Sequence, residues 1–206
     1  MNQVGKNIEN KSFQIIREEL GPVHFSPEEM AIVVRMIHAT GDFDYAANVR
    51  FSPDGIASGR EALRNGCLIF ADVKMVQAGI TTRFMPDAEK RVLCRIDDPE
   101  TAALARKEGI TRSAAEFRLQ KEKLEGAVIA IGNAPTALLE VLNLCRTGEI
   151  HPALIVGVPV GFVNAAESKA QLADSHLSYI TSLGRKGGSS VAAAIINALN
   201  AEDSSL

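Results

Sequence analysis

The sequence predicts an α/β fold: a doubly wound, mainly parallel five-stranded sheet flanked by helices, with an N-terminal helical segment. Three observations predict it. Five short apolar runs recur along the chain, stretches of helical period separate them, and glycines and polar residues gather where the runs end. Strands joined through helices in this way need right-handed crossovers and pair in parallel.

Taken in order, residues 11–20 (KSFQIIREEL) set Phe13, Ile16 and Leu20 at helical spacing, and Gly21-Pro22 ends the run. A second helix has a clear start signal: Ser26 with Glu29 forms a capping box, and Pro27 takes the first helical position. It runs from Pro27 to about Thr40, with Gly41 as its stop. A polar linker follows around 52–55. The apolar runs are CLIFADV (67–73), VLCRI (92–96), AVIAIGN (127–133), ALIVGVP (153–159) and SYITSLG (178–184). Their length suits strands buried on both faces. Helical patterns lie between and after them at about 100–108, 112–125, 135–147, 164–176 and 189–200. With 206 residues, 46% of them apolar, the chain is expected to fold as one domain, 1–206, whose first 50 residues form the helical segment.

Composition excludes several functions. The 22 Lys and Arg against 25 Asp and Glu leave a net charge of -3, so no basic field is available to hold nucleic acid. An anionic ligand must be gripped by locally placed arginines, amides and helix ends. Cys67, Cys94 and Cys145 are odd in number, widely spaced and set in apolar runs, which argues against disulfides or a zinc site and for a reducing compartment. No His, Cys and Asp cluster has metal-ligand spacing. The start of the chain has no basic-then-apolar signal, and no segment reaches the roughly 20 apolar residues that span a bilayer. A cytoplasmic protein is expected.

In open sheets of this class ligands bind beyond the carboxyl ends of the strands. There the chain carries Asp72, then Gly132-Asn133-Ala134-Pro135, the segment from Gly157 to Gly161, and the segment from Gly184 to Ser190 with Arg185 and Lys186. Gly157 and Gly184 can let amides approach a carboxylate, or can serve the turn alone. Neither segment is a nucleotide signature: G-x-G-x-x-G follows no run, and Gly184 to Ser190 lacks a Gly-Lys-Ser/Thr ending.

Of the four histidines, His38 is the most informative. It falls in the last turn of the capped helix, on one face with Arg35, and Asp42 and Asp44 follow. The helix end and the acids favour its protonated form, which suits a proton donor; the plainer reading is that it caps free carbonyls. His24, His151 and His176 read as surface or capping residues. Arg112 opens a helix, where a cation is not favoured by the dipole, so it is either a ligand contact or a partner of Glu116.

Several stretches together resemble the precorrin-8X and cobalt-precorrin-8 methylmutase family. They are SFQIIREE (12–19), VRMIHATGD (34–42), DVKMVQAGIT (72–81), TRSAAEF (111–117), AVIAIGNAPTALLEVL (127–142), ALIVGVPVGFVNAAESK (153–169) and GRKGGSSVAAA (184–194). They cover nearly the whole chain in family order. The resemblance implies a homodimeric α/β isomerase that binds a large polycarboxylate tetrapyrrole and moves a methyl group from ring carbon C-11 to C-12. It assigns the proton-handling histidine to His38 and substrate contacts to Ser12 and Arg35. It implies no methyl donor and no cofactor, any cobalt belonging to the substrate. Arg112, Gly157, Gly184 and Arg185 are added as contacts for peripheral carboxylates, on their strand-end placement, and Val160 and Phe162 as cover for the flat ring. Ahead of the SF motif the family usually carries a longer segment with aromatic and acidic residues, where this chain has MNQVGKNIENK. Two other readings share the fold: a nucleotide-dependent α/β enzyme and a corrinoid-binding protein without turnover.

Overall fold

In this computed structural model residues 3–81, 85 and 87–201 are described. The helical segment comprises α1 (Gln3–Leu20), α2 (Pro27–Thr40) and α3 (Asp44–Asn48). The alternating part follows: β1 (Val49–Phe51), α4 (Gly55–Arg64), β2 (Ile69–Ala71), α5 (Lys74–Gly79), α6 (Ala88–Arg91), β3 (Val92–Leu93), α7 (Pro99–Glu108) and α8 (Arg112–Leu119). It closes with β4 (Val128–Ile131), α9 (Pro135–Arg146), β5 (Leu154–Gly157), α10 (Ala165–Ala173), β6 (Tyr179–Ser182) and α11 (Ser189–Leu199).

The strands form one six-stranded sheet in the order β1-β6-β5-β4-β2-β3. All neighbours are parallel except β1, which lies antiparallel on β6 with Val49 opposite Ser182. Five strands were expected, so β1 is a correction. Its three residues form a strand because the β6 edge offers free backbone groups, a cause that lies outside the segment itself. Further differences concern helices: α5 and α6 stand where none was expected, and α8 ends at Leu119 rather than near 125. α1 begins at Gln3, well before residue 11, and α4 starts within the expected linker.

The pleat sorts the strand residues onto two cores. Ala71, Val128, Ala130, Val156 and Ile180 face one side, where α2 and α11 supply Ile32, Val34, Val191 and Ile195. Phe70, Ile129, Ile131, Ile155 and Tyr179 face the other, against Phe117 of α8, Leu138 and Val141 of α9 and Leu172 of α10. Helices on both faces make the sheet doubly wound, as expected.

The start of α2 is as the sequence predicts. The Ser26 hydroxyl accepts from the Glu29 amide at 3.2 Å, and the Glu29 carboxylate accepts from the Ser26 amide at 2.8 Å. At the other end Gly41 is left-handed and its amide donates to the Ile37 carbonyl. Phe13 and Ile16 of α1 are buried in the same core as Val33, Val34 and Ile37 of α2, which fixes the two helices against each other.

Candidate functional site

The α1–α2 contact brings three of the expected residues together. The Ser12 hydroxyl lies 2.9 Å from His38 Nδ1. Phe13 presents its ring edge-on to His38, with centroids 5.1 Å apart, and carries the Arg35 guanidinium over its face at 5.0 Å. Arg35 Nη1 also reaches Glu9 of α1, in the stretch ahead of Ser12, at 3.4 Å. Phe13 is buried while His38 is exposed, so the imidazole is braced on one edge and open on the other. Engaging Nδ1 with Ser12 leaves Nε2 for a ligand.

Beside this cluster lies an open groove of about 390 Å³ lined by Ile8, Lys11, Ser12, Ile15, His38 and Phe43 among others. That volume is at the low end for small-molecule sites.

The expected role of Asp42 and Asp44 is corrected. Both carboxylates bind Lys186 Nζ, at 2.6 Å each, and the Lys186 hydrogen bond holds the Asp42 carboxyl below its ordinary range. The acids thus latch the end of α2 to the loop after β6. Gly184 (φ +79°) and Arg185 lie in that loop, both exposed, so the latch sets them near the end of α2. Arg185 is stacked over Phe162 at 5.4 Å from its centroid. Phe162 and Val163, adjacent in the loop after β5, are 85% and 76% exposed.

Gly157 does not meet the groove. It is buried at the end of β5, where an added Cβ would sit 2.5 Å from Leu172 and 3.1 Å from Leu138, and the next amide already donates to the Ile131 carbonyl. Arg112 is exposed at the head of α8, and no described contact joins it to the His38 cluster. Its neighbour Thr111 touches Thr136 at the head of α9 at 2.8 Å, which puts Arg112 at the carboxyl end of the sheet. Pairing with Glu116 does not occur: Glu116 is fully buried and accepts from the Arg95 amide.

Strand order reverses between β2 and β4, the usual ligand crevice of such sheets. Here Asp72 fills it, accepting from the amides of Gly132, Asn133 and Ala134 at 3.0, 2.8 and 2.7 Å. Burial raises the Asp72 carboxyl against the pull of the three amides. Glu116, nearby, is pushed up to about 8 by burial.

The latch residue Lys186 was missed as a site residue, and so were Phe13 and Glu9. Nothing local marks them, since each acts on a partner far along the chain. Among the described residues all three cysteines are free thiols, and no helix is long and apolar enough to cross a membrane.

The chain as a whole is similar to known proteins. The precorrin-8X methylmutase family model matches residues 7–202. The chain is 43% identical over 195 residues to the cobalt-precorrin-8 methylmutase of Priestia megaterium, covering 95% of this chain and 87% of that one. It is 46% identical over 197 residues to the precorrin-8X methylmutase of a Sinorhizobium species, covering 95% and 93%. The crystal structure of a precorrin-8X methylmutase from Thermus thermophilus superposes with a TM-score of 0.86 at 39% identity, covering 95% of this chain and 94% of that one.

Proposed function

Because the chain belongs to the precorrin-8X methylmutase family, isomerases that transfer a methyl group within one molecule in cobalamin biosynthesis, we propose that His38 is the group that handles the proton in its methyl shift. The substrate is a precorrin-8 or cobalt-precorrin-8 macrocycle. In a [1,5] shift the methyl bond to C-11 breaks as the bond to the adjacent C-12 forms, and the π electrons of the conjugated ring move so that C-11 becomes trigonal and C-12 tetrahedral. His38 Nε2 gives a proton to a pyrroline nitrogen as the methyl moves and takes it back afterwards, so nothing is consumed. The observation that carries this reading is the Ser12–His38 pair, which holds the ring by Nδ1 and turns its other nitrogen outward. With no bond to a protein group broken, positioning and exclusion of water are the rest of the protein's work.

Ser12 orients the imidazole and meets the substrate beside it. Arg35, braced by Phe13 and Glu9, contacts the ring system, while Arg112, Arg185 and the amides around Gly184 grip peripheral carboxylates. No separate cofactor takes part, and cobalt, where present, travels with the substrate. The exposed apolar residues Ile8, Ile15, Phe162 and Val163 support a homodimer, one chain forming a single α/β unit of it. Free thiols fit a cytoplasmic setting.

Incubation of the purified protein with precorrin-8, with and without cobalt, tests the reading through the visible spectrum, since the shift alters the chromophore. His38→Ala is expected to bind the substrate and convert it about 10²–10⁴ times more slowly. A variant that converts at the wild-type rate would sink the role of His38. Retained binding with no wild-type turnover would favour a corrinoid carrier.

A further inference from the structure

Lys169, in the VPVGFVNAAESK stretch, is fully buried within α10. Helical spacing puts it on the inward stripe with Ala165, Ser168 and Leu172, where an apolar residue would ordinarily stand. Among the described residues no carboxylate pairs with it. Its Nζ donates to one group, the Lys186 main-chain carbonyl, at 2.5 Å. Burial pushes its ammonium down to about 8. A buried amine with no counter-charge is unfavourable for the fold, so its presence calls for a cause other than packing.

The cause lies in what Lys186 joins. The loops after β5 and β6 meet along a backbone seam: the Gly188 amide donates to the Val158 carbonyl at 2.9 Å, and the Gly161 amide to the Arg185 carbonyl at 3.1 Å. The approach is so close that a Cβ on Gly187 would lie 2.2 Å from the Val158 oxygen. Lys169 secures the seam from the α10 side, and Tyr45 of α3 donates to the Gly187 carbonyl at 3.4 Å from the other. Outward from the seam the Lys186 side chain holds Asp42 and Asp44, in the turn that follows His38.

We propose that Lys169 is a positioning residue for the methyl shift, holding the Lys186 carbonyl so that the Lys186–Asp42/Asp44 latch sets the end of α2 and with it His38. This rests on the reading of His38 given above. Lys169 touches no substrate. It acts through a loop whose displacement moves the imidazole relative to the macrocycle, and small misplacements of a proton donor lower the rate of the chemical step more than binding.

The test is Lys169→Met, of similar length and without the amine. The expected result is a kcat about tenfold lower, a KM within about threefold of wild type, and a thermal midpoint equal to or above wild type. In a Lys186→Ala background, where the latch is already broken, adding Lys169→Met is expected to change kcat by less than about twofold. A kcat within about twofold of wild type in the single variant overturns the proposal, as does a fall in kcat with a lowered midpoint, or effects that multiply in the double variant. If Lys169→Met does not fold, Lys186→Ala alone decides, because an unchanged kcat there removes the latch. Failure of the underlying reading looks different: the wild type does not convert, or His38→Ala converts as fast, and both readings then fall together.

Discussion

Two polar regions lie at the carboxyl ends of the sheet, and they differ in what their charges do. At the end of α2 the groups are exposed or half-buried and paired across elements: Ser12 with His38, Lys186 with Asp42 and Asp44. Beyond β2, β3 and β4 they are buried and turned onto the backbone: Asp72 on three amides, Glu116 on the Arg95 amide. Glu116, to about 8, and Cys94, to about 11, are strongly displaced in the buried region, while in the exposed one Asp42 and Asp44 hold the Lys186 ammonium above its ordinary range. Perturbed titration often marks an active site. Here it marks loop construction, and the candidate site is picked out by geometry.

The sharpest way to break the comparison is His38→Ala, whose effect belongs in turnover while stability stays within about 0.5 kcal/mol. Asp72→Ala is expected to do the reverse. It strips the acceptor from three amides and lowers the unfolding free energy by about 3 kcal/mol or more in urea titration. An Asp72→Ala protein of unchanged stability would mean the turn after β4 is held by something else.

Glu116 comes next. Its folded carboxyl keeps a proton up to about 8, against an ordinary 4.5, so the folded state binds more protons between those values. Glu116 contributes stability that is fully present below the lower value and lost as pH rises through the upper one. Glu116→Gln is expected to flatten the fall in urea midpoint across that window. A wild-type slope in the variant would show that another group titrates there.

Smaller effects should appear at the exposed region. Ser12→Ala frees one edge of the imidazole and is expected to lower kcat about tenfold, with an unfolding midpoint like that of the wild type. Converting both Arg112 and Arg185 to Ala should weaken product binding about fivefold, more at low salt than at high. Unchanged affinity in a calorimetric titration would remove these arginines from the carboxylate grip.

The sequence by itself determined what short-range physics controls. The capping box of Ser26 and Glu29, the stop at Gly41, the helical period of α9 and α11 and the apolar runs of β4 and β5 depend on neighbours within a few residues, and all stand where the sequence puts them. The helix-end position of His38 was legible because the helix and its stop signal lie in one segment. The resemblance that named the family rests on seven such segments read together.

What only the tertiary structure decided involves partners far along the chain. β1 is a strand because β6 lies beside it. Ser12 meets His38 across 26 residues, and Lys186 takes Asp42 and Asp44 across 144 and 142. Lys169 shows the boundary between the two. Its place on an inward stripe is visible in the sequence, but its partner is a main-chain carbonyl 17 residues away, which no side-chain pattern can announce. Periodicity and capping are local energies. Which loop lies against which helix end is settled only when the sheet and its crossovers bring them together.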